Sequence, residues 1–447
     1  MNKAIALILA FLMLSSIFTG CAASQDTPAA PDSGEKAASS SGSDASAPPA
    51  EEIVLKTAVM TGMTEYFTLA DNYMKANPNV KVEIEEYPTS EFSALLKAKL
   101  AGGDCWDVFA CTSSTQPTLA AAGHLADLSD MTEVIGRYQS PEMIRNTRTY
   151  NGIIAALPAQ YQYMPLFYNK AMFAKLGLQI PTDWQQFLEM LRKAKESGVT
   201  PIAAGFKENW MCLHWVLQVA ATTVQRDDID WGVKRHENTV TFEGTKGWAT
   251  AFDKLKELIA LGTFSSSAVS TSDEQAMMSF LNGGSLCYFN GTWGLNAMQK
   301  AKPEGFEFGG MRVPVNDPGE EACTSTSVTG DFSVWAKSPH LDKAKEWLAF
   351  TLSPEQNLIL NSTKGPSPFV DVKVPLHESL IEFEKTVADS GGKVAEWALF
   401  QQKWPDGMPY PEPMYALVQQ MFYPDRAKAT ADILRELDKA WNEAAGK

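Results

Sequence analysis

The sequence predicts an α/β protein with open sheets, large enough for two domains. Strand and helix patterns alternate from residue 53 to residue 110. The body from about Glu52 to Lys447 is longer than one hydrophobic core usually serves. The chain also carries 12 Trp, 12 Tyr and 22 Phe, enough large apolar side chains to fill sizeable cores.

Ile53 to Met60 reads as a strand that ends in the loop Thr61-Gly62-Met63-Thr64. A helix follows from about Glu65 to Lys75 and stops at Asn77-Pro78. Val80 to Tyr87 alternates apolar and charged residues, as a half-exposed strand does. Phe92 to Leu100 is helical and ends at Gly102-Gly103, and Asp107 to Ala110 is the next strand. This is a β-α-β-α-β start to an open sheet. Ligands of such sheets sit at the carboxyl ends of strands, so the loops at 61–66 and 111–116 are the natural first site walls.

Later helices carry start signals. Thr182-Asp183-Trp184-Gln185 after Pro181 and Ser353-Pro354-Glu355-Gln356 both read as capping boxes, the second with Pro at the first helical position. Trp248, Phe252, Leu255 and Ile259 mark one helical face closed by Gly262, and they read as core.

The first 20 residues read differently. Lys3 precedes the apolar run Ala4 to Leu14, which is too short to span a bilayer as a lasting helix. Phe18-Thr19-Gly20-Cys21 follows and resembles a bacterial lipobox, with Phe18 where a branched aliphatic residue is usual. The resemblance implies a signal peptide over 1–20 and lipidation at Cys21. The lipidated Cys and a flexible tether would take 21–51, where Ala22 to Pro49 is nearly all Ser, Ala, Pro, Gly and Asp, a composition that cannot offset the entropy of ordering. A flexible tether of that length has an r.m.s. span of about 30 Å.

The net charge of −15 argues against nucleic acid or anionic lipid as a partner. With Cys21 lipidated, Cys105, Cys111, Cys212, Cys287 and Cys323 remain, so at least one is unpaired. A strand between Cys105 and Cys111 would hold them about 20 Å apart, beyond disulfide reach. No metal or cofactor is expected, because the chain has no C-x-x-C or H-x-x-H and its histidines are scattered. G-x-S-x-G, Walker and G-x-G-x-x-G motifs are absent. Ser33 to Lys36 forms an S-x-x-K only inside the tether, and the pair Asp104/Asp107 is a chance pairing in so acidic a chain.

Further blocks stand in a distinctive order. They are Leu166-Phe167-Tyr168-Asn169-Lys170-Ala171-Met172-Phe173, Leu176-Gly177-Leu178, Pro181-Thr182-Asp183-Trp184 and Gly198-Val199-Thr200-Pro201-Ile202. Phe280-Leu281-Asn282-Gly283-Gly284 then leads to Asn290-Gly291-Thr292-Trp293. Thr329-Gly330-Asp331-Phe332-Ser333-Val334 leads to Asp342-Lys343-Ala344, Trp347 and Ser353-Pro354-Glu355. The ordered set covers nearly the whole body. It resembles the extracellular solute-binding proteins of carbohydrate ABC importers, family 1, the maltose-binding-protein-like group.

The resemblance implies a two-lobed periplasmic-binding-protein-like fold (type II), each lobe an open mixed sheet flanked by helices, joined by a hinge of crossing strands. The lobes would be 52–160 plus 332–370 and 161–331 plus 371–447. The protein would be a monomer, not an enzyme, anchored by lipid on the outer face of the cytoplasmic membrane in the Gram-positive manner. It would capture a sugar or oligosaccharide in the cleft and pass it to ABC permease subunits. A non-sugar solute, a sensor role, or a secreted carbohydrate-active enzyme are the alternatives.

A sugar needs an aromatic plate for its C–H face and planar polar groups for its hydroxyls. Trp293, after Asn290-Gly291-Thr292 at the end of a predicted strand Ser285 to Phe289, matches the family's G-x-W tryptophan. Trp210 and Tyr163 stand where the family often has cleft residues, and Asp331 matches a crossing-strand position. Glu65, Thr112 and Ser113 sit at the two strand ends named above, Asn290 precedes Trp293, and Trp404 is a loop tryptophan. Asp107 and the block Tyr168-Asn169-Lys170 read as structural.

Overall fold

A computed structural model describes residues 52–362, 364–396, 416, 419–423 and 428–444. Cys21, the signal and tether segments, and Trp404 lie outside the described residues.

Among the described residues the strands are β1 (Ile53–Met60), β2 (Val80–Tyr87), β3 (Val108–Ala110), β4 (Thr149–Tyr150), β5 (Ile153–Ile154), β6 (Leu157–Tyr163), β7 (Leu166–Asn169), β8 (Thr200–Ala203), β9 (Ser285–Phe289), β10 (Phe308–Met311), β11 (Cys323–Val334) and β12 (Lys393–Glu396). The first sheet has the order β12-β11-β3-β1-β2, with β6 also paired to β11. β1 runs parallel to β2 and β3, whereas β11 runs antiparallel to β3 and β6. The second sheet has the order β10-β7-β9-β8. β4 and β5 form a hairpin through Asn151-Gly152, both at positive φ (50° and 81°), which the right-handed twist of paired strands demands of a two-residue turn.

Each sheet anchors its own core. Leu55, Val82, Trp106, Phe109, Leu157, Phe332 and Trp347 are buried around the first. Phe187, Trp215, Trp248, Leu255, Leu286, Phe289 and Trp441 are buried around the second. A smaller cluster with Phe167, Phe280, Tyr288 and Leu380 packs on the same second sheet. The C-terminal helix Thr430–Ala444 contributes Ile433, Leu437 and Trp441 to the second core.

The predicted β1, β2 and β9 have the expected bounds. The first helix spans Glu65–Ala76, and the next spans Thr89–Gly102, starting earlier than its apolar residues suggest and closed by Gly103 in the left-handed region. Helix Lys246–Leu261 ends at Gly262, φ +72°, as its pattern predicts. Asp107 does fix backbone: it accepts from the Lys56 amide at 2.8 Å and the Ser338 hydroxyl at 2.6 Å. Asn169 caps helix Lys170–Lys175 by accepting from the Met172 amide at 3.0 Å. All five cysteines of the body are buried and free.

The capping signals shift. Asp183, not Thr182, is the N-cap of helix Trp184–Glu196, accepting from the Gln186 amide at 3.0 Å, because Thr182 still lies one residue outside the helix. Ser353 makes no side-chain cap bond to helix Pro354–Asn361. A complete capping box stands instead at Ser272 and Gln275, opening helix Asp273–Leu281.

Candidate binding site

The carboxyl ends of β8 and β9 lie side by side, since these strands pair in parallel. β9 runs on through Asn290-Gly291-Thr292 into a short 3-10 turn that holds Trp293. A Cβ added at Gly291 would lie 2.0 Å from the Trp293 ring. Only glycine there lets the indole fold back over its own backbone.

Trp293 joins two aromatic rings from helix Asn209–Ala220, which follows β8. Its centroid is 5.9 Å from that of Trp210 and 5.6 Å from that of His214. Trp210 and His214 are four residues apart, so they share one helix face and meet at 5.6 Å. Both tryptophans keep part of their surface in solvent. Burial pushes the His214 imidazole down to about 3, so it is neutral at physiological pH.

Polar groups border this cluster. Asn290 donates to Asp273 at 3.0 Å, and its carbonyl accepts from the Gly291 amide at 2.8 Å. Tyr288 donates to the other Asp273 oxygen at 2.7 Å, and Glu208 accepts from the Asp273 amide at 2.9 Å. Burial raises the Asp273 carboxyl above its usual range, the two donors opposing it.

A second wall comes from the first sheet. Thr292 donates to Gln162 on β6, which in turn donates to Gln160 at 3.1 Å. A Cβ on Gly365 would sit 3.2 Å from the Thr292 hydroxyl, so segment 364–365 presses on the turn that holds Trp293. Its neighbour Lys364 pairs with Glu65 at 2.8 Å, both side chains nearly buried. Glu65 opens the helix after β1, so the chain of contacts reaches from the carboxyl end of β1 to the carboxyl end of β9.

The structure therefore brings Trp210, Trp293 and Asn290 together, with Glu65 linked to them through Lys364 and Gly365. Thr112 and Ser113 follow β3 at its carboxyl end, and the Thr112 hydroxyl meets Ser114 at 2.9 Å. Asp331 lies in the interior, ion-paired with the buried Arg148. Burial lifts its carboxyl, and Arg148 pulls it down. Tyr163 points elsewhere, donating to Glu384 at 2.7 Å and packing on Phe383 at 5.0 Å. His214, Asp273, Gln162 and Lys364 were not read from the sequence. The spacing of His214 from Trp210 could have flagged it; nothing local flags the others.

Residues 56–358 match the family described as bacterial extracellular solute-binding protein. The multiple sugar-binding protein of Streptococcus mutans is 23% identical over 292 residues, 62% of this chain and 66% of that protein, so the alignment spans just under two thirds of that relative. The melibiose/raffinose/stachyose-binding protein MelE of Bacillus subtilis is 21% identical over 314 residues, 69% of this chain and 71% of that protein. RafE in complex with raffinose has the same two-lobed fold, with a TM-score of 0.71 at 18% identity over 88% of this chain and all of the other. The GacH receptor of Streptomyces glaucescens gives 0.68 at 17% identity over 89% of this chain and 99% of the other.

Proposed function

We propose a function from one premise: this chain belongs to the bacterial extracellular solute-binding protein family. It captures a sugar or short oligosaccharide between its two lobes and delivers it to the membrane subunits of an ABC importer. The observation that carries this is the partly exposed pair Trp210 and Trp293, bordered by Asn290 and Asp273. Aromatic faces suit the C–H face of a pyranose, and amide and carboxylate groups suit its hydroxyls. The sugars in the names of MelE and the Streptococcus mutans protein support the same ligand class.

The lobes we assign are 52–160 plus 332–370 and 161–331 plus 371–447. The separate cores of the two sheets support the division of the main body, while β12 at Lys393–Glu396 crosses it by pairing with β11 in the first sheet. The crossing strands β6 and β11 would form the hinge. A solute that touches both walls binds the closed form better and shifts the population toward it. The family consists of binding proteins, and this chain would perform no covalent step on its solute. Its membership of an extracellular family supports a location outside the cell; Cys21 would carry the lipid that holds it at the membrane, and the tether would keep the receptor concentrated near its permease.

Thermal unfolding in the presence of mono- to tetrasaccharides tests the reading. A ligand at 100 times its dissociation constant stabilises by about 2.7 kcal/mol. No shift with any sugar, or turnover of a sugar by the purified protein, would overturn it.

A further inference from the structure

A cavity of about 460 Å³ opens where segment 180–183, the chain after β10 and helix Glu378–Ala388 meet. Its size lies in the range of small-molecule sites, roughly 300–1,000 Å³. None of Trp210, His214, Trp293, Asp273 or Asn290 lines it.

Arg312 lines this cavity and is only 3% exposed. Its Nε donates to the Thr386 carbonyl at 3.3 Å, and one terminal nitrogen donates to the Thr182 carbonyl at 2.6 Å. The other terminal nitrogen is buried without a partner. Burial pushes the guanidinium down to about 10, with Asp183 opposing. Asn316, also on the wall, donates to the carbonyls of Thr182 at 3.2 Å and Glu320 at 3.0 Å, yet its own Oδ1 is buried without a partner.

The acids on the same wall are already held. Glu382 pairs with Lys170 at 2.7 Å, Glu320 with Arg226 at 2.8 Å, and Asp389 with Lys385 at 2.5 Å. Asp183 accepts from the Gln186 amide as a helix cap. Among the described residues no carboxylate pairs with Arg312. A buried guanidinium without an anion is unfavourable, and its planar fork fits a carboxylate.

We propose that this cavity is a second ligand site, which takes a small hydroxy-carboxylate. The Arg312 Nη1 and Asn316 Oδ1 are buried beneath the cavity wall, so the ligand is taken with a turn of these two side chains toward the opening: the carboxylate then accepts from Arg312, and a neighbouring hydroxyl donates to Asn316. A free phosphate shares the anionic oxygens but would need its own proton to serve Asn316. The site shares no residue with the aromatic cluster and stands whether or not the cleft takes a sugar.

Calorimetric titration with gluconate tests it, with sorbitol as the neutral counterpart and inorganic phosphate as a separate arm. Gluconate should bind saturably at one site and sorbitol should not bind there. Arg312→Lys should weaken gluconate by about tenfold or more, the loss expected for a charged hydrogen bond. Ile180→Trp, which fills the cavity and leaves Arg312 in place, should abolish binding. Trp293→Ala should leave it unchanged, which separates this site from the cleft. Gluconate that fails to bind at roughly tens of millimolar, or that binds both cavity variants as it binds the parent, overturns the proposal. Phosphate binding without gluconate binding overturns the carboxylate assignment. If Arg312→Lys does not fold, Ile180→Trp decides alone.

Discussion

Trp210 and Trp293 meet edge to face, with ring centroids 5.9 Å apart and planes at 62°. One sits in the first turn of the helix after β8 and the other in the turn after β9. The parallel pairing of those strands places both rings at one sheet edge, and His214 packs against both. Such contacts contribute about 0.5–1.5 kcal/mol beyond area burial, so each ring holds the others in place. A partly exposed plate is thus fixed before any solute arrives.

Glu65 and Lys364 should behave as a coupled pair. Their side chains are 13% and 7% exposed, 2.8 Å apart. Glu65→Gln leaves an ammonium nearly buried without its carboxylate and should destabilise by about 2–4 kcal/mol. Combining it with Lys364→Met should recover part of that loss. Urea unfolding of the two single variants and the double variant measures the coupling; strictly additive effects would remove it.

His214 gives a pH signature with a definite sign. Its imidazole is depressed to about 3 in the folded protein, against about 6.5 in an unfolded chain. The unfolded state therefore binds more protons between those values. The contribution of His214 is fully present above about pH 6.5 and is lost as the pH falls toward 3. The slope from this one group is at most about 1.4 kcal/mol per pH unit, reached only where the unfolded imidazole is fully protonated and the folded one is not. His214→Phe should flatten the fall in stability between pH 4 and 6.5. Parallel curves for the variant and its parent in denaturant titrations would contradict this.

Gly330 should resist substitution. It lies on β11 beside Asp331 with φ +70°, and an added Cβ would meet the Gln160 side chain at 3.1 Å. Gly330→Ala should destabilise by about 1–2 kcal/mol, since a side chain in the left-handed region is strained. A neutral result in urea unfolding would show that β11 relaxes there freely.

Much of the fold is written locally. Alternation and flanking turn residues mark β1 and β2, and Gly262 marks the end of its helix. Trp293 and Asn290 stand out because they follow a strand directly. What is not legible depends on partners distant in sequence. Asp331 reads as a crossing-strand ligand residue until Arg148, 183 residues away, is seen to occupy its carboxylate. Asp273 belongs to the site only because the sheet brings Tyr288 and Asn290 onto it. Lys364 has no motif; Glu65 and the position of Gly365 give it a role.

The central claim is that Trp293 and Trp210 form the plate on which a sugar rests. Isothermal titration of the purified chain with the oligosaccharide that gives the largest thermal shift tests it directly. Trp293→Ala should weaken binding by about 1–3 kcal/mol, and Trp210→Ala by a similar amount, with unfolding transitions that remain cooperative. Affinity unchanged in both variants would contradict the account.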